Sequence, residues 1–168
     1  MNVFDAVRTV LAVRQYEDRP VPPDVIRKIV EAAHLTASSR NGQPWHFVVV
    51  EDRAMLKKLG EVAKTGPYTA GAAFAIVCAT EESVYGMSDV SRAVQSMVLT
   101  AWEAGVGSNW VGFANLEAVN PLLGIPPEIE VIAIVPFGYP VQKIGKGKKN
   151  RKPIGEVVRR ERWDQPWE

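Results

Sequence analysis

Apolar residues recur along the chain in helical and strand-like rhythms. Val3, Phe4, Val7, Val10 and Leu11 suit one face of a helix over 3–13. Pro20-Val21-Pro22-Pro23 reads as a rigid connector. Proline at the first position and Asp24 in the first turn favour a second helix over 23–37, with Val25, Ile26, Ile29, Val30 and Ala33 as its buried stripe. The short apolar run Phe47 to Val50 predicts a strand within 46–51. Asp52 caps a third helix that runs to about Lys64, and Gly66-Pro67-Tyr68 breaks the chain. A second, buried strand is expected over 73–79. The longest helix is expected over 89–104, where Val90, Ala93, Val94, Met97, Val98, Ala101 and Trp102 cover more than one stripe. Such a helix is either central or lies at a subunit interface. Gly105-Val106-Gly107 ends it, and a strand over 108–113, a short helix over 116–123, a Val- and Ile-rich strand over 130–138 and a last helix over 153–163 follow. About four strands among five or six helices result. There is no internal repeat, linker or low-complexity segment, so residues 1–168 read as one domain.

Composition narrows the class. A chain of 168 residues, 46% hydrophobic and 23% charged, has the makeup of a globular domain with a sizeable core. A net charge of +1 does not suit nucleic acid or acidic membranes as partners. No window is long and apolar enough to span a bilayer, and the first residues carry Asp5 and no signal-like apolar stretch, so a cytoplasmic protein is expected. Cys78 stands alone among apolar neighbours and reads as a buried strand thiol. The central helix and the tail with Trp163 and Trp167 are very apolar. They form a dimer interface or fold back on the core.

Some constellations carry little. Glu31 and His34 have the spacing of a di-iron helix motif, but the second such pair is missing, and no metal site is expected. Gly105, Gly107 and Gly112 follow a helix and precede a strand, the reverse of a dinucleotide fingerprint. Ser38 and Ser39 lack a nucleophile elbow. The segment 143–152 is different. It holds Lys143, Lys146, Lys148, Lys149, Arg151 and Lys152 and no acid, and without these six charges the rest of the chain stands at −5. It reads as a solvated loop, a phosphate site or a nucleic-acid contact, the last weakened by the lack of stacking aromatics.

The most informative stretch is Ala37-Ser38-Ser39-Arg40-Asn41-Gly42-Gln43-Pro44-Trp45. It joins a helix pattern to a strand pattern and offers hydroxyl and amide groups to a polar ligand. This loop resembles the flavin-contacting Pro-Ser-x-x-Asn-x-Gln-Pro-Trp loop of the FMN-dependent nitroreductase family, with Ala37 in place of the usual proline. The resemblance extends over nearly the whole chain. The central helix, the turn Gly105-Val106-Gly107-Ser108-Asn109-Trp110-Val111-Gly112, Gly138-Tyr139-Pro140 and Lys149-Asn150-Arg151-Lys152-Pro153 are similar to family motifs in the same order.

The resemblance implies an α+β three-layer sandwich with a central, mostly antiparallel sheet flanked by helices. It implies a homodimer completed by segment exchange, with FMN at the interface touched by both chains. NADH or NADPH would be the electron donor, and a nitro compound, quinone or related small molecule the acceptor. Flavin contacts are expected from Ala37, Ser38, Ser39, Asn41 and Gln43, from Trp110, Val111 and Gly112 under the ring, and from Arg14, Lys149 and Arg151 at the phosphate. No acid–base residue is singled out. Where the family has Arg-Arg-Ser-x-Arg, this chain has Val10-Leu11-Ala12-Val13-Arg14. Only the final arginine is kept, so weaker FMN binding is expected, and a non-enzymatic flavin-binding protein is the alternative.

Overall fold

The computed structural model describes residues 1–112, 116–142 and 149–167. Its centre is a four-stranded sheet in the order β1-β2-β4-β3. The strands are β1 (Trp45–Val50), β2 (Phe74–Thr80), β3 (Gly107–Ser108) and β4 (Glu130–Gly138), and every pairing is antiparallel. The helices are α1 (Val3–Thr9), α2 (Pro23–His34), α3 (Arg53–Val62), α4 (Gly86–Glu103), α5 (Val119–Leu123) and α6 (Ile154–Val157).

Alternation along β2 sorts the core into two layers. Phe74, Ile76 and Cys78 face α2 and α4, where Ile29, Val90, Ala93, Met97 and Ala101 meet them. Ala75, Val77 and Ala79 face the other side, where Leu56, Leu59 and Val119 close the third layer. Side chains of one strand point to opposite faces in turn, so an all-apolar strand must be covered twice. Phe74 stacks on Phe137 of β4 with ring centroids 4.8 Å apart. Cys78 is buried here as expected, and burial pushes its thiol well above the usual range.

Local signals in the sequence hold where they are chemical. Asn2 accepts from the Asp5 N–H at the start of α1, and Asp52 accepts from the Met55 N–H at the start of α3, each at 2.8 Å. Pro23 opens α2. Gly124 takes the left-handed conformation that stops α5.

Five boundaries differ from expectation. The second helix stops at His34 and not at Ala37. The first helix ends at Thr9, because residues 10–13 turn extended. The Val13 N–H donates to the Ser108 carbonyl at 2.9 Å, and Ala12 bridges to Ser108. Val3, Phe4 and Val7 point out of this chain and are exposed. The central helix begins three residues early, at Gly86, whose N–H donates to the Ser83 carbonyl. The strand expected over 108–113 is reduced to Gly107–Ser108 and an isolated bridge between Val111 and Ile134, and Phe113 lies outside the described residues. The last helix is only Ile154–Val157. Beyond it the tail doubles back, with Arg159 bridged to Pro166 and the Trp167 N–H on the Val158 carbonyl. The tail does not fold onto the core: Trp163 is 85% exposed. No helix among the described residues is long and apolar enough to cross a membrane.

The close approach of residues 10–13 to β3 makes a test. A Cβ on Gly107 would lie 2.3 Å from Val13 Cγ2. Gly107→Ala should destabilise the fold by about 1–3 kcal/mol through overpacking. Gly71→Ala, where a Cβ meets nothing within 4 Å, should change little. Urea midpoints of the two variants check the contrast, and equal midpoints would count against the packing argument.

Candidate functional site

The loop 37–43 leaves α2 and enters β1. Its backbone is strained: Arg40, Asn41 and Gln43 have φ of +55°, +55° and +49°. Asparagine tolerates the left-handed region, arginine and glutamine much less, and such residues persist only where their surroundings hold them. The holding group is Asp89 in the first turn of α4. Its carboxylate is 1% exposed and accepts the Ser39 N–H at 3.1 Å on both oxygens and the Ser39 hydroxyl at 3.0 Å. The Arg92 guanidinium pairs with Asp89 and also donates to Ser39 Oγ at 3.2 Å. Ser38 Oγ accepts the Gln43 N–H at 3.0 Å, and Gln43 Nε2 donates to the Asn41 carbonyl at 3.2 Å. Ala37, Asn41 and Gln43 are exposed, while Ser38 and Ser39 are partly buried.

Trp110, Val111 and Gly112 run along the edge of β4. The Val111 N–H and carbonyl are both taken by Ile134 at 2.9 Å, so its backbone belongs to the sheet. The Gly112 carbonyl accepts the Thr65 hydroxyl at 3.1 Å. Gly112 has to be glycine for a local reason: a Cβ there would lie 2.5 Å from Trp110 Nε1. That indole nitrogen is buried and has no hydrogen-bond partner among the described residues. Trp110 also walls a cavity of about 600 Å³ with Met87, Leu116, Asn120, Ile129 and Ile132. This volume is in the range of small-molecule sites.

The cations lie away from the loop 37–43, Arg14 beside Tyr68 and Lys149 beside α1. Arg14 lines a cavity of about 340 Å³ with Leu11, Ala12, Val13, Pro140 and Gln142, and lies 5.9 Å from the Tyr68 ring centroid. Lys149 donates to the Val7 carbonyl at 2.6 Å, in the last turn of α1. There the helix dipole favours a cation. Burial and, secondarily, the Arg151 charge hold the Lys149 ammonium below the usual lysine range. Arg151 donates to the Asn150 carbonyl at 3.0 Å. The Val10 N–H is spent on the Ala6 carbonyl at 2.9 Å and is not free for an anion. Lys143, Lys146 and Lys148 lie outside the described residues.

One chain does not bring the two groups together. The loop 37–43 is tied to the first turn of α4 through Asp89. The N-terminal segment is tied to the last turn, where Trp102 Nε1 donates to Thr9 Oγ1 at 2.9 Å. At about 1.5 Å of rise per residue, Asp89 and Trp102 stand roughly 20 Å apart along the helix.

The sequence pointed to the loop but not to its anchor. Asp89 reads as an ordinary acid in a first turn. The available signal is its place among the buried α4 positions Gly86, Val90, Ala93, Met97 and Ala101, where a charge needs a partner. Tyr16 was also missed. It donates to the Val13 carbonyl at 2.7 Å, and burial raises its phenol well above the ordinary value.

Comparison with known proteins follows the same outline. A model of the nitroreductase family matches residues 8–83 and 67–139. A protein of Archaeoglobus fulgidus named "Putative NADH dehydrogenase/NAD(P)H nitroreductase" is 36% identical over 162 residues, covering 90% of this chain and 93% of that protein. A protein of the same name from Methanothermobacter thermautotrophicus is 34% identical, covering 86% and 81%. A crystal structure from Parabacteroides distasonis, again under that name, superposes with a TM-score of 0.88 at 29% identity over 97% of this chain and all of the other. An FMN-dependent nitroreductase from Clostridium difficile has the same fold, with a TM-score of 0.87 at 23% identity over 95% of this chain and 99% of that one. With its sandwich, its strained hydroxyl- and amide-bearing loop and its sequence all in agreement, the chain belongs to the nitroreductase family.

Proposed function

We propose that the protein is an FMN-dependent NAD(P)H oxidoreductase that reduces nitro compounds, quinones or related small acceptors. The observation that carries this is the loop 37–43, which is strained, pinned to α4 and turned outward where the family-like motif falls. The redox chemistry, two-electron uptake from NADH or NADPH and delivery to an acceptor, is the flavin's own. The chain supplies binding and orientation. Asn41 and Gln43 offer amides to the ring edge, and Ala37, Ser38 and Ser39 shape the approach. Trp110, Val111 and Gly112 form the floor, where the missing Cβ of Gly112 leaves room for the Trp110 indole. Arg14, Lys149 and Arg151 take the phosphate, for which clustered cations are the right chemistry.

The same reading requires two chains. A two-fold axis across α4 sets the first turn of one helix against the last turn of its copy, since a two-fold interface is self-complementary. The loop of one chain then meets the cations of the other. Support comes from the apolar side chains this chain leaves bare: Val3, Phe4 and Val7 on α1, Met87 on α4, and Trp163 and Trp167 in the tail. The protein acts as a homodimer in the cytoplasm.

Purified protein should be yellow, and NADH or NADPH should bleach it in the absence of oxygen until an acceptor restores the colour. Colour that no nicotinamide bleaches would favour a flavin-binding protein without turnover, a reading that the spent Val10 N–H and the apolar Val10–Ala12 side chains keep in view.

Sedimentation at micromolar protein should give a dimer. Removal of residues 163–168 should weaken dimer and flavin binding together, and a flavin-loaded monomer would refute the two-chain site. Asn41→Ala or Gln43→Ala should lower flavin affinity about tenfold to a hundredfold, the effect of leaving a buried polar group unpaired at roughly 1–3 kcal/mol. Unchanged dissociation constants in both would move the ring elsewhere.

Arg151→Ala should weaken FMN by about tenfold or more, while riboflavin, which has no phosphate, loses little. Equal losses would show that 149–152 does not hold the phosphate.

A further inference from the structure

We propose that Asp89 is a positioning residue for the flavin ring. Its carboxylate locks the loop 38–43 in the left-handed form that presents Asn41 and Gln43. The proposal rests on the flavin reading above.

The argument starts from the oddity of the site. Asp89 is 1% exposed on a helix whose neighbouring buried positions, Val90, Ala93 and Met97, are wholly apolar. A buried ion pair is at best a weak source of stability, and a well-packed apolar residue in its place often does as well. The acid therefore has to be explained by what it holds. A carboxylate only accepts, with room for about four hydrogen bonds. Three donor groups converge on it: the Ser39 N–H, the Ser39 hydroxyl and the Arg92 guanidinium. Two of the three belong to one loop residue, 50 positions away in sequence.

That single anchor fixes one end of the loop. The other end is fixed by the sheet, where the Glu81 N–H donates to the Pro44 carbonyl at 2.9 Å as β1 begins. Between these points lie Arg40, Asn41 and Gln43, all at positive φ. The loop's backbone N–H groups make short-range ties: the Asn41 N–H to the Ser38 carbonyl at 3.1 Å, the Gly42 N–H to the Ser39 carbonyl at 3.0 Å, and the Gln43 N–H to Ser38 Oγ at 3.0 Å. All of them depend on where Ser38 and Ser39 sit. Without Asp89 the loop relaxes out of the left-handed region, and the two amides lose their common orientation. Asp89 also lies in the first turn of an 18-residue helix, where the dipole favours its charge.

The test compares Asp89→Asn with Leu56→Val, a core change in the opposite layer that lowers stability without touching the loop. Asp89→Asn should weaken FMN and riboflavin by the same factor, about tenfold or more, because the damage lies at the ring and not at the phosphate. Leu56→Val should leave both affinities unchanged. In flavin-free protein, hydrogen exchange at the amides of 41–43 should speed up in Asp89→Asn while β2 stays protected. Arg92→Gln, at a half-exposed position, should show the same pattern more weakly, and it decides the matter if Asp89→Asn does not fold.

Wild-type affinity in Asp89→Asn, a loss confined to FMN, or unchanged exchange at 41–43 would overturn the proposal and leave the flavin reading standing. Wild-type protein that binds neither flavin would overturn both.

Discussion

Every residue of β2 is buried, and this burial on both faces dictates where everything else goes. A strand with no exposed side needs a layer of helices on each face, and it cannot carry a polar ligand site on its own surface. The helices α2 and α4 cover one face, and α3 with α5 the other. Polar chemistry is thereby pushed to the ends of the layers and the edges of the sheet. The loop 37–43 lies at one such end. The segment 110–112 lies along the β4 edge. Lys149 sits against α1, which meets the end of α4, and Arg14 lies beside Tyr68.

The α4 helix links these places. Its apolar stripe fills the core, which fixes its axis against the sheet. Its two ends then become fixed points: Asp89 holds the loop at one, and Trp102 holds Thr9 at the other. A rod of this kind holds its two ends about 20 Å apart within one chain, and the proposed two-fold axis would set each end against the opposite end of its copy. The apolar residues left bare on α1 and in the tail belong to the same logic. They are costly on a lone chain and useful at an interface.

Much of this was legible in the sequence, for reasons that differ from residue to residue. Asp52 and Pro23 mark helix starts through local chemistry, and the structure keeps both. The short, continuous apolar run of β2 reads as a buried strand, and the structure makes it one. The errors lie where tertiary contacts overrule local pattern. Val10 and Leu11 continue a helical rhythm, yet residues 10–13 are drawn straight by the Ser108 carbonyl. Residues 158–167 carry helix-forming arginines and glutamate, yet Glu161 sits at φ +59° and the segment turns back on itself. Of the site, the loop could be read because it resembles a family motif; its residue types alone also suit an ordinary helix–strand connection. Asp89 could not, because burial is what distinguishes it from any first-turn acid.

Lys149 and Arg151 show how a charge can be aimed before a ligand arrives. Lys149 already has an acceptor, the Val7 carbonyl, at the negative end of α1. That bond orients the ammonium before any ligand arrives, and the helix dipole offsets part of the repulsion from Arg151. The repulsion persists nonetheless and, together with burial, holds the ammonium below its usual range. A depressed lysine loses its proton more readily in the folded state than in the unfolded chain, so the arrangement costs stability as pH falls through the ordinary lysine range. An anion placed between Lys149 and Arg151 reverses the sign, since opposite charge favours the protonated form. On the proposed reading, the bond that already orients Lys149 offsets part of what the side chains of Val10, Leu11 and Ala12 do not supply.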